Sequence, residues 1–201
     1  VCSSDLQSLI DDPERRAGLR GEEREVTLMF VDARGFTTLS ETMEPKVLIP
    51  YLNSILHRVS DCILATGGTV DKFMGDGIMA FWNAPIDEPE HARRALETIA
   101  AIMQAQVALN ADFERRALPG VRLGVGVNTG PCNVGLIGSE KRLDYSCIGD
   151  PVNYASRLEG MTKAYGAFNC IGEATARQAR GWPVAALDRV AARGRQAVET
   201  V

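Results

Sequence analysis

The chain has 201 residues, enough for one domain with a sizeable core. Its 45% hydrophobic and 24% charged residues are those of an ordinary globular protein, and a net charge of −4 argues against a nucleic-acid groove, which needs a basic face. No apolar run approaches the roughly 18 residues of a membrane span, and the five cysteines, odd in number and without a CxxC pair, fit free thiols in a reducing compartment.

Residues 1–6, VCSSDL, back-translate codon by codon into a common sequencing-adapter read, GTGTGCTCTTCCGATCT, and are set aside as an expected cloning or assembly artefact. A natural chain extending further upstream is expected with it. Residues 7–24 are polar and charged and read as a short lead-in helix and linker, so the domain proper is expected over 25–201. Val26–Val31 (VTLMFV) is a continuous apolar run of strand length, the pattern of a central buried strand. Pro45 opens a helix whose Leu48, Leu52, Ile55, Val59 and Ile63 form a 3.6-period stripe, closed by Gly67 and Gly68. Pro50 is expected to strain that helix or displace its start. Thr69–Phe73 and Ile78–Phe81 flank Met74-Gly75-Asp76-Gly77, a hairpin by its Gly/Asp turn chemistry. Glu90–Arg116 reads as a second long helix with Leu96, Ile99, Met103 and Val107 on one face. Leu123–Asn128 and Asn133–Ile137 bracket Thr129-Gly130 as a second hairpin. A third helix is expected from about Pro151 to Lys163, with short strands near Phe168–Ile171 and Ala186–Ala191 completing the sheet. Helices alternating with hairpins imply an α+β sandwich with a largely antiparallel sheet.

Three strings carry polar groups suited to chemistry. Asp32 in FVDARGFT and Asp76 in DKFMGDGIMAFW each follow an apolar, β-prone stretch, which places each carboxylate at a strand end or hairpin tip. Taken singly, either reads as a turn residue. Together they make the donor pair that a hard divalent cation takes, a cation that shares its shell with substrate phosphates. Gly35 and Gly77 let backbone approach a bulky anion. In DYSCIGDPVNYASRLE, Asn153 and Arg157 lie four apart on the predicted helix and point the same way, an arrangement for gripping one ligand. The alternative is a solvated helix face. His57 and His91 are too few and too separated for a zinc site and read as surface or packing residues.

FVDARGFT, GGTVDKFMGDGIMAFW, GVGVNTGPCNVGLIGSEKR and DYSCIGDPVNYASRLEG, in this order and spacing, resemble the class III nucleotidyl cyclase catalytic domain from about Glu25 to the C-terminus. The resemblance implies a ferredoxin-like, palm-type sandwich that converts ATP to 3′,5′-cyclic AMP and pyrophosphate for intracellular signalling. Alternatives are a guanylate cyclase or a catalytically silent nucleotide-binding regulatory domain. By the same resemblance Asp32 and Asp76 match the two metal-binding aspartates, with the Ala33 carbonyl joining the shell of two divalent cations, Mg²⁺ or Mn²⁺. Gly35, Phe36 and Thr37 match the backbone that holds the β/γ-phosphates, and Arg193 stands where the family carries a basic residue, more often lysine, for the terminal phosphates. Asn153 and Arg157 match the pair that orients ribose and stabilises transition-state charge. Lys72 matches the purine-contacting lysine of adenylyl cyclases. Ser146 matches the second base position, where Asp or Thr is commoner. Cys147, one residue on, reads as a buried small hydrophobe. Members of the family form each site between two copies, so the resemblance implies a homodimer with two equivalent sites. The lead-in DPERRAGLRGEEREVTLMF is similar to bacterial members that carry an upstream sensor and membrane-anchoring region. That implies a cytoplasmic domain of a membrane-anchored protein. The family adds a final strand near where this sequence ends, so that strand is expected to be incomplete.

Overall fold

The computed structural model describes residues 21–139, 142–191 and 198–201. The artefact expected at 1–6 and most of the expected lead-in helix lie outside these residues. The first strand, β1 (Glu22–Ala33), begins earlier than the apolar run alone suggests, because Glu22–Arg24 pair with Val134–Cys132. Residues 22–24, read from sequence as linker, therefore belong to the sheet. β1 alternates across two cores. Met29, Val31 and Ala33 enter one, and Val26, Leu28 and Phe30 enter the other. This is why the run is apolar at nearly every position rather than at every second one.

After a short helix α1 (Phe36–Thr42), the long helix α2 (Pro45–Ala65) buries Tyr51, Ile55, Val59 and Ile63. Pro50 sits inside α2 without displacing its start. It faces solvent, where water can take the Lys46 carbonyl that the missing N–H leaves unbonded, so the expected shift does not occur. β2 (Thr69–Met74) and β3 (Gly77–Trp82) form the expected hairpin around Gly75 and Asp76. Helix α3 (His91–Arg115) buries Ala95, Leu96, Ile99, Ile102, Leu109 and Phe113. Met103 and Val107, expected on that face, are exposed, since steps of four residues drift off a 3.6-period stripe.

The expected second hairpin is absent. Leu123–Ser139 is one strand, β4, pairing with β1 over its first part and with β5 (Arg142–Ile148) over its second. Gly130 serves close approach instead of a turn: a Cβ there would lie 2.7 Å from Pro151 Cγ at the start of helix α4 (Asp150–Tyr165). β6 (Asn169–Ile171) runs parallel to β4, and α5 (Glu173–Gln178) follows. The order β2-β3-β1-β4-β5 is antiparallel throughout, with β6 beside β4 as the parallel exception. The architecture is α+β, as expected. β7 (Arg189–Ala191) does not complete this sheet but pairs with β8 (Val198–Thr200) in a separate two-stranded ribbon.

α2 and α3 cover one face of the sheet and α4 the other. α4 packs into a trough made by glycines. A Cβ at Gly124 would meet Glu159 Oε1 and Thr162 Oγ1 at 2.7 Å, and one at Gly126 would collide with the backbone of Ala155 and Glu159. The trough fixes the position of the helix that carries Asn153 and Arg157. Among the described residues no helix is long and apolar enough to cross a membrane.

Candidate active site

Asp32 closes β1 on the side of the sheet that α4 covers, and Asp76 sits at the β2–β3 tip. The two come together. Burial pushes the Asp32 carboxyl above its usual range, and the charge of Asp76 and a hydrogen bond to it push further the same way. Lys163 and the Ala33 backbone oppose the rise. A Cβ at Gly77 would lie 3.4 Å from Asp32 Oδ1, so a larger residue would crowd this carboxylate. Two half-buried carboxylates held side by side repel unless a proton or a cation joins them, and their oxygen donors suit a hard divalent ion. Among the described residues no group of three or more His, Cys, Asp or Glu is placed to hold a metal ion by itself. A cation here therefore needs backbone, substrate or water oxygens as well.

Gly35, Phe36 and Thr37 follow directly. Gly35 takes φ 75°, a left-handed conformation that favours glycine, and turns the chain from β1 into α1. Arg34 anchors this turn to the end of α4, its guanidinium donating to the Thr162 and Ala167 carbonyls. Glu159, on the same helix, is raised by burial and by the nearby Asp32 charge, with Lys163 and Arg34 opposing. Sequence alone does not single out Arg34, Glu159 and Lys163. Each is an ordinary charged residue until α4 docks over β1.

A second cluster forms around the base-recognition candidates. Lys72 Nζ donates to Ser146 Oγ at 3.2 Å, and Ser146 Oγ donates to Asp71 Oδ2 at 2.6 Å. Lys72 Nζ also lies 3.3 Å from Asp71 Oδ1. β2 and β5 stand at opposite ends of the strand order, yet β4 carries β5 over until they touch. Phe81 and Tyr145 pack in the same fold-over, their ring centroids 6.1 Å apart. Lys72 and Ser146 line a cavity of about 450 Å³ together with Met74, Met79 and Asn153. Cys147 also borders it, but packs with Cys132 and Val134 in the core as a small hydrophobe. Burial pushes its thiol far up, which makes it inert.

Tyr154, Ala155 and Leu158 are buried, which turns Asn153 and Arg157 to the exposed side of α4, one turn apart. Asn153 borders the cavity, whereas Arg157, Asp32 and Asp76 do not. The structure thus gathers the candidates into a carboxylate half and a base-and-helix half. Arg193 lies outside the described residues. A separate, mostly apolar cavity of about 300 Å³ between β6 and residues 182–187 contains none of the candidates.

Comparison with known proteins identifies the family of the fold. Residues 20–201 match the family model described as the adenylate and guanylate cyclase catalytic domain. Adenylate cyclase 1 of Rhizobium meliloti is 40% identical over 143 residues, 71% of this chain and 22% of the relative. An adenylate cyclase of Anabaena cylindrica is 35% identical over 158 residues, 77% of this chain and 30% of the relative. The chain thus spans less than a third of the length of these curated relatives. Among solved structures, the adenylyl cyclase CyaB from P. aeruginosa superposes with a TM-score of 0.83 at 31% identity, covering 90% of this chain and 93% of that one. The guanylyl cyclase Cya2 superposes at 0.80 and 32%, covering 90% and 91%. With the family model spanning all the described residues and these folds superposing along nine-tenths of the chain, this protein belongs to the adenylate and guanylate cyclase catalytic domain family.

Proposed function

We propose that this domain is an adenylate cyclase that closes ATP to 3′,5′-cyclic AMP and pyrophosphate at sites shared between two copies of the chain. In that reaction the ribose 3′-oxygen bonds to the α-phosphorus, the bond from that phosphorus to the α,β-bridging oxygen breaks, and the 3′-hydroxyl proton departs. The observation that carries the choice of ATP is the Lys72–Ser146 pair at 3.2 Å on the cavity wall. An ammonium only donates, so it suits an adenine ring nitrogen and mismatches the guanine N1–H, while a serine oxygen can accept from the adenine amino group.

Asp32 and Asp76 would hold divalent cations, with the Ala33 carbonyl completing the protein's share of the shell. Bound there, the cations would activate the 3′-hydroxyl and neutralise the triphosphate. The rest falls to the chain's own groups. The backbone N–H groups of Gly35, Phe36 and Thr37 receive the β/γ-phosphates, with Arg193 at the terminal phosphate. Asn153 orients the ribose, and Arg157 stabilises the charge that builds on the phosphoryl oxygens. Homodimerisation is supported by the division of these groups into two halves. It is supported too by the exposed apolar side chains of Phe73, Met74, Ile137, Leu143 and Ile148, three of which border the cavity. The resemblance of the lead-in DPERRAGLRGEEREVTLMF to bacterial members of the family supports a cytoplasmic placement behind an upstream sensor and membrane-anchoring region.

Steady-state assays of the purified chain with ATP and with GTP in Mg²⁺ or Mn²⁺ test the reading. Cyclic AMP should form, with kcat/KM favouring ATP at least about tenfold, since a mismatched base leaves buried polar groups unpaired. Equal values or a GTP preference would show the base pocket to be misassigned. No cyclic product from either nucleotide would leave a silent regulatory domain.

A further inference from the structure

Asp71 has no role in the reading above, yet its side chain is fully buried within hydrogen-bond reach of the base pocket. The strand itself puts it there. In the β2–β3 ladder Val70 pairs with Ala80 and Lys72 with Met79, so Asp71 is the extra residue of a β-bulge. In a regular strand Asp71 and Lys72 would point to opposite faces. The bulge lets both reach Ser146.

With Asp71 ionised beside the Lys72 ammonium, the proton inventory of this trio has one solution. A carboxylate only accepts and an ammonium only donates. Ser146 Oγ must therefore give its hydrogen to Asp71 Oδ2 at 2.6 Å and take one from Lys72 Nζ at 3.2 Å. Its remaining lone pair is then all it can offer a base. From these contacts we propose that Asp71 is a specificity-determining positioning residue: by holding the Ser146 proton it makes that hydroxyl an acceptor only, and so selects the amino group of adenine over the carbonyl of guanine. The inference rests on the adenylate cyclase reading and supplies what serine otherwise lacks, a fixed direction for its hydroxyl. Burial raises the Asp71 carboxyl above its ordinary range and the charge of Asp144 adds to the rise, while the Ser146 hydrogen bond and the Lys72 ammonium oppose it and favour the ionised form.

The isosteric Asp71→Asn separates this role from a merely structural one. Lys72 demands the amide oxygen, which leaves the NH₂ facing Ser146. The serine then accepts from the amide and turns its own hydrogen toward the base. The probes are 3′-deoxy-ATP and 3′-deoxy-GTP, which lack the attacking hydroxyl and report binding without turnover. In the wild type the ATP analogue should bind more tightly. In Asp71→Asn the ratio of affinities should fall about tenfold or more, with GTP-analogue binding unchanged or improved. Asp71→Ala, whose serine hydroxyl can turn either way, should fall between. On a Ser146→Ala background Asp71→Asn should move the ratio no further. A fall in both affinities with the ratio preserved, or an equal shift without Ser146, would overturn the role of Asp71 while leaving the base pocket intact. Equal wild-type affinities for the two analogues would overturn both. Absence of cyclic product alone counts against the cyclase reading and not against Asp71, because the probes need no turnover.

Discussion

At the scale of single residues, charge placement accounts for most of the site. Asp32→Ala or Asp76→Ala should lower cyclic AMP formation about a hundredfold or more, since each removes a ligand from cations expected to stabilise the transition state. Neither should lower the thermal midpoint measured in chelator, because each relieves repulsion within a half-buried pair. A parallel loss of fold and activity would count against a purely functional role. His91 gives an opposite case. Its Nδ1 lies 2.7 Å from Thr27 Oγ1, at the head of a buried chain through Thr129 to Thr175. Burial lowers its pKa below the ordinary 6.5, although Glu25 and Glu88 pull the other way and Arg24 with it. Below that value the unfolded chain gains a proton that the folded one resists. Stability is therefore lost as pH falls from 6.5 toward the lowered folded value. Urea midpoints at pH 7.5 and 5.5 should show His91→Gln losing less stability on acidification than the wild type. Thr27→Val should cost about 1–3 kcal/mol at neutral pH by stranding its neighbours' polar atoms. Legibility differed among these residues. The Asp32–Asp76 pairing is accessible from sequence because strand ends and a hairpin tip can be read from local pattern, whereas Lys72 and Ser146 are marked only by the family resemblance. Asp71 is marked by neither, because its direction depends on a bulge, and nothing in TVDKFM marks which residue is the extra one.

At the scale of elements, the decisive fit is α4 on β4. The alternate small residues of GVGV read from sequence as one arm of a hairpin. Their use is to flatten one face of a long strand so that a helix backbone can lie against it. Gly126→Ala should destabilise the domain by about 3 kcal/mol or more, because the added methyl meets helix backbone that no rotamer change can move aside. Denaturant unfolding measures this. Activity of whatever folded protein remains should fall as well, since Asn153 and Arg157 ride on the displaced helix. A variant as stable as the wild type would show that α4 sits further from β4 than the structure has it. The same strand explains where local reading failed. Turn chemistry at Thr129-Gly130 and close approach to Pro151 both call for glycine, and only the tertiary partner distinguishes them. Likewise the short apolar stretch near Arg189 pairs with Val198–Thr200 and not with the main sheet, a choice of partner that periodicity cannot encode.

At the scale of the whole molecule, the proposed site residues of one chain fall into two groups. Asp32 and Asp76 meet beneath the end of α4, while Lys72, Ser146 and Asn153 share a cavity that neither aspartate borders. If two copies meet by a two-fold axis, the carboxylates of one face the cavity of the other, and each dimer carries two complete sites. Inactive variants should then complement. In a heterodimer of Asp32→Ala with Arg157→Ala, one site combines both lesions and the other has neither. Random exchange makes half of the dimers mixed, so an equimolar mixture should recover about one quarter of wild-type activity. Asp32→Ala mixed with Asp76→Ala should recover nothing, because both lesions fall in the same half and every site carries one of them. Cyclic AMP formation after co-incubation at concentrations that permit subunit exchange measures both mixtures. Recovery in the first and silence in the second is the signature of a shared site. A first mixture that stays inactive while fluorescence exchange shows heterodimers forming would place all the catalytic groups within one protomer.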